Sequence, residues 1–136
     1  MPLYGNELGS DLTPFDAGLG RVVKLEKAGG FVGREALARR ALEAPARQLV
    51  GLTLQSRRVP RHGYAVLWAG EPAGTVTSGA PSPTLGVPIA MAYVRPDVTA
   101  VANDPTRAGT ADLAVDVRGR AEPATLVELP FYRRSS

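Results

Sequence analysis

Gly74-Thr75-Val76-Thr77-Ser78-Gly79-Ala80-Pro81-Ser82-Pro83-Thr84-Leu85-Gly86-Val87-Pro88-Ile89-Ala90-Met91-Ala92-Tyr93-Val94 is the stretch on which the fold turns. Two apolar pieces, Gly74 to Thr77 and Ile89 to Val94, flank a turn region of Gly79, Pro81, Ser82, Pro83 and Gly86. In the second piece Ile89, Met91 and Tyr93 alternate with the smaller Ala90, Ala92 and Val94. A period of two is the signature of a strand, and apolar residues at both phases predict packing on both faces. Pro81 and Pro83 fix φ and remove backbone donors, so the connection is held in shape. Such a stiff loop either closes a barrel corner or lines a pocket, and punctuation is the commoner use of this composition.

The same alternation recurs on either side. Val50, Leu52 and Leu54 alternate with Gly51 and Thr53, and Tyr64, Val66 and Trp68 with Ala65 and Leu67. Leu113, Val115 and Val117 alternate with Ala114, Asp116 and Arg118, Gly119-Arg120 reads as a turn, and Ala124 to Leu129 as a last strand. With the two pieces of the opening stretch this predicts a mainly β unit: a six-stranded, Greek-key-type closed β-barrel over residues 46–136, closure removing exposed edges. The connection Arg95 to Gly109 is long enough to need a reason.

Residues 1–45 differ in character and are expected to be a short α+β piece, of which residues 1–30 form no core of their own, since about 30 residues bury too little apolar surface to offset chain entropy. Thr13-Pro14 predicts a capped helical turn, stopped by Gly18 and Gly20. Val22 to Leu25 predicts a strand. Residues 33–44 predict a helix with Leu37, Ala38, Ala41 and Leu42 on its apolar stripe and a Glu35–Arg39 pair outside, ended by Pro45. The boundary falls near Ala44 to Arg47, and Leu3, Leu8 and Val22 are expected to expose apolar surface that seeks a partner.

Composition removes several chemistries. The chain has no cysteine, hence no disulfide, thiolate metal site or cysteine nucleophile, and a single histidine, His62, rules out a multi-histidine metal site. His62 reads as a surface residue without a partner. No apolar run approaches the roughly 20 residues of a membrane helix, and a soluble cytoplasmic chain is the expectation. Sixteen basic residues are interspersed with thirteen acidic ones and aromatics are few, so no nucleic-acid partner and no membrane partner are expected.

Thr77-Ser78-Gly79, Ser82-Pro83 and Ile89 to Val94 resemble the C-terminal domain of the aminomethyltransferase (T protein) of the glycine cleavage system. So do Leu3-Tyr4-Gly5-Asn6-Glu7-Leu8, Thr13-Pro14, Ala17-Gly18-Leu19-Gly20, Phe31 to Leu37, Arg61 with Gly63-Tyr64, Val117-Arg118-Gly119 and Pro130-Phe131-Tyr132, in order and at near-family spacing. The Arg95 to Gly109 connection is longer than the family's and is expected to be a surface insertion. The resemblance covers the last third of such proteins: the end of the folate-binding middle domain (residues 1–45) and the whole C-terminal barrel (residues 46–136). It therefore implies a truncated or split reading frame.

The implied reaction is transfer of a one-carbon unit from a lipoyl-bound aminomethyl group to tetrahydrofolate with release of ammonia. The family's catalytic aspartate lies in the first domain, so no catalytic residue and no metal ligand are assigned here, and the chain is expected to be inactive alone. What the resemblance carries over is a wall of the folate cavity, with Tyr132, Arg61 and Tyr4 as folate-binding positions. For each, a bland role competes: a frayed tail residue, a barrel-end cap, and core packing respectively. Arg57 and Arg58 are the positions for docking the lipoyl carrier (H) protein, a solvated loop being the alternative. The other partners implied are the missing N-terminal domains or another copy of the chain. Competing readings are a folate-dependent demethylase of the same architecture and a non-catalytic β-barrel binding module. The related folate protein of iron–sulfur assembly fits poorly, because its cysteine motif is replaced by Gly30-Phe31-Val32-Gly33-Arg34-Glu35.

Overall fold

The computed structural model describes residues 2–102 and 112–133. Six strands, β1 (Gln48–Leu54), β2 (Ala65–Trp68), β3 (Glu71–Ser82), β4 (Val87–Val94), β5 (Leu113–Asp116) and β6 (Ala121–Val127), close into an antiparallel barrel. Their order around the barrel is β1-β4-β3-β2-β5-β6, with β6 paired back to β1. The meander β2-β3-β4 flanked by β1 beside β4 is the Greek-key arrangement.

Register explains why the alternating residues alternate. Leu52 lies opposite Ala90 and Val50 opposite Ala92, while Val76 faces Ala92 from the other side. Ala90, Ala92 and Val94 point into the barrel, and their small side chains make room there for Leu52, Leu54, Val66, Val76, Leu113 and Val115, all buried. A narrow barrel is filled in this large-against-small way. Gly74 and Gly79 mark places where no side chain fits. A Cβ at Gly74 would lie 2.2 Å from the Tyr93 carbonyl oxygen, and one at Gly79 2.3 Å from that of Pro60.

Several expectations shift. The turn region of the opening stretch is narrower than its composition suggests: β3 continues through Gly79 and Pro81 to Ser82, and only residues 83–86 turn. Pro81 sits opposite Pro88, so two residues without N–H groups share one rung near the hairpin tip. The β5–β6 turn centres on Arg118 and Gly119, both at positive φ (57° and 81°), one residue earlier than Gly119-Arg120. The Arg95 to Gly109 connection is not simply a surface insertion. Its first part is helix α2 (Pro96–Ala102), whose Val98 is fully buried in the barrel cluster, while residues 103–109 lie outside the described residues. Arg95 fixes the start of α2 by donating to both carboxylate oxygens of Asp97, each at 3.1 Å, and to the Pro72 carbonyl at 3.2 Å.

Before the barrel, Thr13 and Asp16 form a reciprocal cap: the Thr13 amide and hydroxyl donate to Asp16 Oδ2 at 2.8 and 2.7 Å, and the Asp16 amide donates back to the hydroxyl. The expected strand at Val22 to Leu25 is absent; a short 3-10 helix, Gly20–Val22, stands there instead. A strand with no neighbour to complete its hydrogen bonds has no reason to form. Helix α1 (Arg34–Ala41) is shorter than the predicted 33–44 and buries none of its residues. Leu42, Leu3 and Val22 are exposed as well, whereas Leu8 is half-buried. Arg40 pairs with Glu43 and with Asp16; the Glu35–Arg39 pair does not form.

One contact seats this N-terminal segment on the barrel. Glu7 is completely buried against the outer face of β3 and β4. Register between these strands slips between Val76 and Ser78, leaving Thr77 as the extra residue of a β-bulge. The bulge lets two adjacent side chains reach one side, which ordinary pleating forbids. The Thr77 and Ser78 hydroxyls donate to the same oxygen of Glu7, at 2.7 and 2.6 Å, while its other oxygen accepts the Leu3 amide at 3.0 Å. Tyr93, on the outer face of β4, donates its phenol to the Glu7 carbonyl at 2.7 Å. Burial pushes the Glu7 carboxyl pKa up, but the bonds from Ser78, Thr77 and Leu3 together outweigh it and hold the group below its ordinary 4.5.

Two outcomes follow from this packing. Gly74→Ala, which forces backbone apart between β3 and β4, is expected to lower stability by about 1–3 kcal/mol in urea unfolding followed by Trp68 fluorescence. A folded-state pKa below the unfolded one means that Glu7 stabilises the protein above about pH 4.5 and that this increment is lost as pH falls through the lowered value. The urea midpoint is therefore expected to fall on acidification, and by a smaller amount in Glu7→Gln, which has no proton to take up.

Candidate functional site

The segment that Glu7 anchors leaves a groove of about 780 Å³ along the outer face of β3 and β4. One wall is Tyr4 to Leu12; the other runs from Pro72 to Thr77 and from Tyr93 to Arg95, with Arg47 and His62 at its borders. Its size suits a small-molecule ligand. Arg47 ties the two walls: its guanidinium lies 5.4 Å from the Tyr93 ring centroid and donates to the Asp11 carboxylate at 3.0 Å. Burial, followed by the nearby Asp16 charge, pushes the Tyr93 phenol up to about 12, so it remains a proton donor throughout the ordinary pH range. His62 is not without a partner. Its Nδ1 lies 2.8 Å from the Thr77 carbonyl, to which the N–H tautomer donates.

The three folate-binding positions carried over from the resemblance do not converge on one cavity within this chain. Tyr4 lines the groove and is 80% exposed, which overturns core packing as its explanation. Arg61 lines a separate cleft of about 290 Å³ with Arg58, Tyr64 and Arg118. Tyr132, 59% exposed, lines neither; it follows Phe131, whose ring closes over Gly51.

The second cleft lies at the barrel end where the β1–β2 loop meets the β5–β6 turn. Arg57, Arg58 and Arg61 come from the loop, Arg118 and Arg120 from the turn, and all five are exposed. Among the described residues two carboxylates sit on the adjoining strand ends. Glu122 pairs with Arg58 at 3.0 Å, and Asp116 accepts the Gly119 amide at 2.7 Å. Elsewhere in the chain eleven basic and eleven acidic residues cancel, so the whole formal charge of +3 resides at this end. Arg57 makes no ion pair among the described residues. Among those residues no three His, Cys, Asp or Glu side chains gather as a metal site, and no helix is long and apolar enough to cross a membrane.

Sequence reasoning did not single out Glu7, Asp11, Arg47 or the turn arginines as participants. Glu7 was visible only as part of Leu3-Tyr4-Gly5-Asn6-Glu7-Leu8. An acid among apolar and turn residues carries no local sign that it will be buried against Thr77, 70 residues away in sequence.

Residues 47–133 match the family described as glycine cleavage T-protein C-terminal barrel domain. The aminomethyltransferase of Streptomyces coelicolor is 61% identical over 98% of this chain, and that of Saccharopolyspora erythraea 59% identical over 100% of this chain. A solved structure, the glycine cleavage system aminomethyltransferase T from Bartonella henselae, superposes over 97% of the chain with a TM-score of 0.80 at 33% identity. In each case the chain spans about a third, 35%, of the length of the protein it matches. A closed six-stranded barrel, the segment seated on it and the extended sequence identity thus agree: this chain belongs to the aminomethyltransferase family of the glycine cleavage system and corresponds to its C-terminal part.

Proposed function

We propose that this chain serves as the C-terminal portion of a tetrahydrofolate-dependent aminomethyltransferase, residues 1–45 belonging to the middle domain and 46–136 forming the barrel domain. The reaction moves a one-carbon unit from a lipoyl-bound aminomethyl group to tetrahydrofolate and releases ammonia. No acid or base for that chemistry is assigned to this chain, which acts in the cytoplasm as a wall and a docking face. Tyr4, Arg61 and Tyr132 contribute to the folate side. A pterin suits an exposed aromatic at the edge of a groove, and guanidinium groups suit the carboxylates of a folate tail. The three face it together only once the remainder of the protein is present.

The observation that carries this reading is the identity of about 60% over almost the entire chain to aminomethyltransferases three times its length. The exposed apolar residues Leu3, Val22, Val32 and Leu42, with a helix α1 none of whose residues is fully buried, support a partner over the N-terminal segment. The basic barrel end supports docking of an acidic carrier protein. Steering depends on the summed field, to which Arg61, Arg118 and Arg120 add, whereas Arg58 is already partly neutralised by Glu122.

Two measurements test the reading. The chain by itself is expected to release no ammonia from aminomethylated carrier. Mixed with a polypeptide supplying the preceding two-thirds of the Streptomyces coelicolor relative, it is expected to restore tetrahydrofolate-dependent release; turnover by the chain alone, or none by the mixture once a stable complex has formed, contradicts it. In the active mixture, Arg57→Glu is expected to slow carrier association at low salt by about tenfold, with the difference shrinking above about 0.5 M salt as screening sets in.

A further inference from the structure

Tyr4 stands out of the surface on a loop of only a few residues, yet that loop has almost no freedom. The Leu3 carbonyl accepts the amides of Asn6, Glu7 and Leu8 at 3.2, 2.9 and 3.1 Å, and the Gly5 amide donates to the Leu8 carbonyl at 2.8 Å. Gly5 sits at φ 93°, a conformation that L side chains avoid. Glu7 closes the loop a second time through its side chain, which accepts the Leu3 amide. Its remaining carboxylate oxygen and its carbonyl then fasten the closed loop to Thr77, Ser78 and Tyr93 of the barrel. One residue thus both shapes the loop and fixes it to β3 and β4.

We propose that Glu7 is the positioning residue for Tyr4, holding the ring over the groove so that it meets the folate-side ligand in a preset pose; the ligand's identity rests on the functional reading above. An anchored aromatic loses little freedom on binding, whereas one on a loose six-residue loop would give up its ordering entropy from the binding energy. The geometry also distinguishes the variants. Glu7→Ala leaves the Leu3 amide and the Ser78 hydroxyl without their acceptor and removes the Thr77 hydroxyl's bond to the loop. Glu7→Gln keeps a carbonyl oxygen for Leu3 and turns its amide N–H groups toward the two hydroxyls. The Thr77 hydroxyl can then donate to the Met91 carbonyl, 3.0 Å away. Gln is therefore the rescuing substitution and Ala the disruptive one.

The test combines hydrogen exchange in the chain and its Tyr4→Ala, Glu7→Ala and Glu7→Gln variants with titration of 5-formyltetrahydrofolate into the complex that each forms with a polypeptide supplying the preceding two-thirds of the Streptomyces coelicolor relative. Glu7→Ala is expected to speed exchange at the amides of Leu3 and residues 6–8 by about tenfold or more, the scale of losing hydrogen bonds to a charged acceptor. The amides of β1 to β6 remain protected, and Glu7→Gln stays close to the parent. In titration, Glu7→Ala is expected to weaken binding as much as Tyr4→Ala, the double variant to be no worse than either, and Glu7→Gln to retain affinity. Unchanged exchange in Glu7→Ala overturns the proposal, and so does faster exchange with affinity intact. If the parent complex binds no 5-formyltetrahydrofolate, the folate reading of this chain fails, and exchange alone decides whether Glu7 fixes the Tyr4 loop.

Discussion

A carboxylate taken wholly out of water costs several kcal/mol unless its lone pairs are met, and the arrangement of this protein follows from how Glu7 meets that cost. Two hydroxyls, a backbone amide and the ionised form they favour make the burial tolerable. The hydroxyls reach one oxygen because of the bulge at Thr77, so an irregularity in the β3–β4 ladder is what gives the N-terminal segment its seat. The groove between segment and barrel, and the exposed stance of Tyr4, depend in turn on that seat.

The barrel itself is governed by volume. A barrel of six strands encloses little space, and the pairing of Leu52 with Ala90 and of Val50 and Val76 with Ala92 uses it without overfilling. Where strands and loops come closest, at Gly74 and Gly79, even a methyl group has no place. The result is a platform whose two ends are chemically different. Val98 from α2 buries against the barrel core at one, and the other gathers the chain's excess positive charge on two connections that the β6–β1 and β2–β5 pairings bring together.

The strand pattern was legible because a half-buried sheet writes its period of two directly into the chain: Val50, Leu52 and Leu54, or Leu113, Val115 and Val117, are buried or nearly so as their spacing implies. The resemblance to the T protein was legible for a different reason, since long ordered matches need no three-dimensional information. Local signals fared less well where nothing packed against them. Val22 to Leu25 has strand-like residues but no neighbouring strand, and the stripe on α1 is only partly covered, Leu37 and Ala38 being half-buried and Ala41 and Leu42 exposed. At the candidate site, Tyr4 looked like a core residue by its type, and His62 looked unpaired because Thr77 lies fifteen positions away.

The order of residues alone determined that this is a β-barrel chain of the aminomethyltransferase family, since alternation and extended identity are properties of the sequence read in one dimension. Only the folded arrangement decided that Glu7 would be the anchor, that Thr77 and Ser78 would share one of its oxygens, and that arginines from positions 57–61 and 118–120 would share one barrel end. Those outcomes depend on contacts between residues some sixty or seventy positions apart. They are set by ladder register and by a single extra residue in one strand, and neither has a local signature.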